Sequence, residues 1–100
     1  MRKRDILATY EWWKQNRSTE QADRWYKGIF DAARSLRINP QRCASATESD
    51  LLAQGVRQLL YGLGRNPTHR LVFAIEDESV IILRVRHTSQ DALASDDLQQ

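Results

Sequence analysis

The segment HRLVFAIEDESVIILRVRH, His69–His87, decides how this chain folds. Two runs of aliphatic and β-branched residues, Arg70–Glu76 and Val80–Arg86, flank the polar tetrad Glu76-Asp77-Glu78-Ser79. That pattern predicts two antiparallel strands joined by a tight turn. Side chains alternate across a strand, so parity sorts each run into two faces. Leu71, Phe73 and Ile75 share one face, and Ile81, Leu83 and Val85 are expected beside them as the seat of a core. The opposite parity collects Arg70, Val72 and Ala74 with Val80, Ile82, Arg84 and Arg86.

Upstream, the run Val56–Tyr61 ends at Gly62-Leu63-Gly64-Arg65-Asn66-Pro67, a turn-rich break, and supplies a third strand carrying Arg57. Four arginines, Arg57, Arg70, Arg84 and Arg86, are therefore expected on one outward face. The first half changes period. Ile6, Tyr10 and Trp13 recur at helical spacing within 5–16, and Ala22, Trp25, Ile29, Ala33 and Leu36 do so in a second helix that ends near Asn39-Pro40. The polar stretch Asn16–Glu20 between them reads as a turn with a capping residue, so the helices form an antiparallel hairpin whose apolar side needs a cover.

Residues 41–55 are small and polar and predict a crossing loop with one helical turn. Residues 89–100 carry little apolar content and are expected to fray. The fold expected is α+β: an N-terminal helical hairpin packed on a small antiparallel sheet, one domain over residues 1–100.

At 100 residues the chain has room for one core. Its apolar content, 41%, is that of a globule rather than a disordered chain. Net charge is only +2, so where the arginines sit matters more than their sum. The single Cys43 closes no intrachain disulfide, and no run approaches the roughly 20 apolar residues of a membrane span. The charged start lacks a following signal-peptide core, which points to the cytoplasm.

Guanidinium forks bind carboxylate and phosphate alike, so an outward arginine face with Val72 and Ile82 uncovered between the charges suits an acidic amphipathic protein or a phosphate backbone. The plainer alternative is a solvated face whose arginines pair with nearby acids such as Glu76 and Glu78. Among proton-transfer groups only His87 has an ordinary pKa suited to the task, with Arg70 and Arg86 as candidate phosphate clamps. His69 reads as structural, and Tyr61 as a packed aromatic. Two histidines and one cysteine without close spacing predict no metal, and nothing predicts a cofactor. Trp13 and Trp25 fall on the core stripes, whereas Trp12 looks outward, where tryptophans often meet partners.

Taken in order, DILATYEWWKQN, ADRWYKGIFDAARSL, NPQRC, GVRQLLYG and HRLVFAIEDESVIILRVRH resemble the RelE/ParE toxin superfamily over nearly the whole chain. The resemblance implies the toxin of a type II toxin–antitoxin, plasmid-stabilisation pair, held silent by an antitoxin, with DNA gyrase or the ribosome and its mRNA as target. For the RNA-cleaving branch it implies a basic residue at Arg70 and another at Arg57. Leu59 stands at a second position where that branch keeps a basic residue, and no tyrosine follows His87, so an endoribonuclease set is incomplete. The gyrase-directed branch shares the Val85-Arg86-His87 ending. Such families place a strand before the first helix, and its absence here implies an open sheet edge, and with it a shortened reading frame, a compensating dimer or a partner strand supplied in trans. An inactive interaction module of the same fold is the alternative.

Overall fold

The computed structural model describes residues 3–90 and 92–98. Helix α1 spans Lys3–Asn16 and α2 spans Thr19–Ser35. Ser18 sits between them in an extended conformation (φ −150°, ψ 157°), and its hydroxyl accepts a hydrogen bond from the Gln21 amide at 3.1 Å. This caps α2 by satisfying an amide that has no partner within the helix. A link this short turns α2 back along α1. Ala22, Trp25 and Ile29, at three- and four-residue steps, are buried on the inner face of α2, followed by Leu36 just past its end.

Three strands follow: β1, Arg57–Tyr61; β2, His69–Glu76; β3, Ser79–His87. They form an antiparallel sheet in the order β1-β2-β3. Asp77, with φ 54°, turns β2 back into β3 in a left-handed conformation that Asp tolerates better than most residues. On one side of the sheet Leu71, Phe73, Ile82 and Val85 pack under Ile6, Trp25, Ile29 and Leu36, which makes the expected seat for the hairpin. Gly28 permits the close approach of α2 to β1. A Cβ there would lie 1.8 Å from Tyr61 Oη, and that hydroxyl donates to the Trp25 carbonyl at 3.4 Å.

Two expectations about the sheet fail. The register skips between Val72 and Phe73, which pair with Arg84 and Ile82, leaving Leu83 as the extra residue of a β-bulge. One added residue exchanges the faces of everything beyond it. Ile82 therefore joins the helix side with Val85, while Leu83 packs with Val72 and Ala74 on the other. That other side is not open to solvent. Ala46, Val56, Leu93 and Leu98 close over Val72, Ala74 and Leu83 in a second core.

The cover comes from the loop before β1, including a 3₁₀ turn at Ser49–Leu51, and from the C-terminal segment with another at Ser95–Leu98. Its described part, 92–98, packs down through buried Leu93 and Leu98 rather than fraying. Apolar area on both faces of a three-stranded sheet needs two covers, and one hairpin supplies only one.

Candidate functional site

Beneath the second cover lies a buried ion pair. Arg70 leaves β2 on the face away from the helices and meets Glu48, the residue before the 3₁₀ turn at Ser49–Leu51. The guanidinium engages the carboxylate with both terminal nitrogens, one of them donating to Glu48 Oε1 at 2.8 Å and the other to Oε2. Gln58 Oε1 accepts from Arg70 at 3.3 Å, and the Leu93 amide donates to Glu48 Oε2 at 2.8 Å. One carboxylate thus ties β2 to both covering segments. The Arg70 guanidinium, reinforced by the Leu93 amide against the cost of burial, holds the Glu48 carboxyl at about 2 against an ordinary 4.5.

The other predicted site residues are dispersed. Arg57 is opposite Phe73 in register and so lies on the helix side, where it donates to the carbonyls of Cys43 (2.7 Å) and Gln41 (3.3 Å). Arg84 donates to both carboxylate oxygens of Asp5 at 2.7 and 3.1 Å, and Asp5 also accepts from the Val85 amide at 2.9 Å. Val72 is fully buried and Ile82 nearly so. The outward arginine face is therefore replaced by three separately engaged guanidiniums at Arg57, Arg70 and Arg84. The second cover encloses Arg70 and Val72, the bulge turns Ile82 to the helix side, and the register of β1 against β2 carries Arg57 there too, none of which has a signature in strand parity. Trp12 is half exposed on α1, as expected.

Arg86 lies opposite Arg70 in register, half-buried on the same face. His87 is opposite His69 on the helix side, their rings 5.2 Å apart. The strand pleat thus places His87 on one face and Arg70 with Arg86 on the other. His87 is exposed at the end of β3, and its Nδ1 accepts from the Ser89 amide at 3.1 Å. A backbone amide only donates, so Nδ1 carries no proton and the neutral ring holds its proton on Nε2. His69, by contrast, is buried against Trp25, and burial, with the neighbouring His87, lowers it to about 4 from 6.5.

Glu48 is the residue that sequence reasoning missed. It stands in a tract of small polar residues without periodicity, and a lone buried acid leaves no spacing to detect. Its only signal is that Arg70, in the middle of an apolar strand, needs a counter-charge from somewhere.

A helical hairpin on an antiparallel three-stranded meander is the arrangement that the resemblance to RelE/ParE-type toxins implies for the part of the fold after their first strand. The family model for the ParE toxin of the type II toxin–antitoxin system parDE matches residues 3–92, and the chain belongs to that family. No curated protein matches it. Membership makes the chain the toxin of a type II pair, with an antitoxin protein as its partner. Among the described residues no helix is long and apolar enough to cross a membrane.

Proposed function

We propose that this toxin arrests growth by binding its target, as a poison of DNA gyrase in the cytoplasm, and that it does not cut ribosome-bound mRNA. The engagement of Arg70 carries this reading. RNA cleavage needs a cation free to meet charge building on the phosphate, together with a base for the 2′-hydroxyl and an acid for the leaving oxygen. Arg70 already spends its fork on Glu48 inside the second core. His87 has Nδ1 occupied by Ser89 and stands on the opposite face from Arg70 and Arg86. A base and two clamps on opposite faces of one sheet cannot converge on one phosphate.

A protein that acts by binding needs no such convergence, and an antitoxin that covers its contact surface suffices to silence it. Plasmid stabilisation follows from that pairing, because a persistent toxin penalises loss of the pair. The test is induced expression of the chain alone, with messenger RNA mapped by primer extension and gyrase assayed for supercoiling and for trapped cleaved DNA. The expected result is growth arrest with intact messages and inhibited gyrase. Cut messages on ribosomes beside fully active gyrase overturn the reading.

A further inference from the structure

At the end of the sheet where His69 and His87 meet, α1 borders an open cleft of about 490 Å³. Trp12, Trp13 and Arg17 form its helical side, and His69, His87 and Gln90 belong to the other. The indoles of Trp12 and Trp13 stand nearly perpendicular, at 89°, with centroids 5.7 Å apart, making an aromatic corner. Trp12 is 50% exposed, although nothing in the helix requires a tryptophan on an outward position. Arg17 is exposed and forms no ion pair among the described residues.

His87 adds a donor, because its Nδ1 is taken by Ser89 and the proton of the neutral ring is on Nε2. No aspartate or glutamate is among the lining residues. The cleft is therefore walled by aromatics, carries one guanidinium and the His87 donor, and holds no carboxylate of its own.

We propose that this cleft receives an acidic side chain of the antitoxin together with the apolar or aromatic residue beside it. The carboxylate would meet Arg17 and the His87 ring, and the apolar neighbour would cover Trp12. Charge complementarity selects an acid, and half-exposed tryptophan beside arginine is the composition of an interface centre rather than of a solvated rim. Nucleic acid fits less well. A phosphate backbone is gripped by many cations in a row, whereas this cleft offers one guanidinium and one imidazole.

The inference rests on the chain being a toxin neutralised by a protein, and the experiment separates the two claims. Trp12→Ser and Arg17→Glu alter exposed side chains, and thermal melts verify that each variant folds. Each is expressed alone to read growth arrest, then titrated with the purified protein encoded by the adjacent reading frame. Expected are a Kd for that protein raised about tenfold or more and restored binding of Arg17→Glu when an acid of the partner is changed to lysine.

Unchanged affinity in both variants overturns the proposal and leaves the toxin reading standing. Lost growth arrest with unchanged affinity also overturns it, and assigns the cleft to the target. So does binding of a single-stranded oligonucleotide that both variants abolish while antitoxin affinity holds. Failure of the parent chain to arrest growth counts against the toxin reading alone.

Discussion

Replacing Glu48 by glutamine keeps the shape of the buried pair and removes its negative charge. Arg70 is then left cationic with its side chain only 8% exposed, and the Leu93 amide loses a carboxylate acceptor. Breaking one partner of a buried pair costs about 3–5 kcal/mol. Linkage gives a second route to the magnitude. A carboxyl held at about 2 rather than 4.5 represents about 3 kcal/mol of folding free energy at neutral pH. The two agree, and for a domain of this size they correspond to a melting temperature lower by at least about 12 °C.

The pH dependence identifies the cause. The folded pKa of Glu48 lies below its unfolded value, so its contribution is complete above about 4.5 and disappears as pH falls through about 2. Urea unfolding followed by the fluorescence of buried Trp25 measures this in the parent and in Glu48→Gln. Their difference should stay constant from neutral pH to about 5 and close between about 4.5 and 2, with every other titrating group cancelling. A difference under about 1 kcal/mol at neutral pH, or one that persists unchanged at pH 2.5 or so, refutes the assignment. Changing both partners to leucine should recover most of the loss, because the cost is that of an unpaired buried charge rather than of a missing attraction.

Burial keeps His69 near 4 instead of 6.5. The unfolded chain therefore binds a proton that the folded ring refuses, and stability should decline as pH drops from about 6.5 towards 4. Imidazole resonances should show a His69 midpoint near 4, and an ordinary midpoint contradicts its burial beside Trp25. Gly28→Ala places a Cβ 1.8 Å from Tyr61 Oη and 2.8 Å from its ring carbon Cζ. A loss of about 1–3 kcal/mol is expected, partly restored by Tyr61→Phe, and a chain as stable as the parent by urea unfolding contradicts the close α2–β1 contact.

Much of this protein is determined by local pattern. The 3.6-residue recurrence of Ala22, Trp25 and Ile29, the cap at Ser18 and the turn at Asp77 each depend on neighbours in the chain, which is why two helices and three strands are legible before any fold is known. The face of Leu71, Phe73 and Ile75 follows from alternation within a single unbroken strand.

What tertiary structure alone decided begins at Leu83. A bulge forms only against a partner strand, so the exchange of faces between Leu83 and Ile82 has no local cause that parity can register. The second core is of the same kind, since Ala46, Leu93 and Leu98 become a cover only when segments distant in the chain meet over Val72. Arg70 shows the consequence for function. From its strand position it could as well be a free cation as a buried one, and the choice was made by Glu48, 22 residues away, because a charge enclosed in an apolar core persists only with a counter-charge beside it.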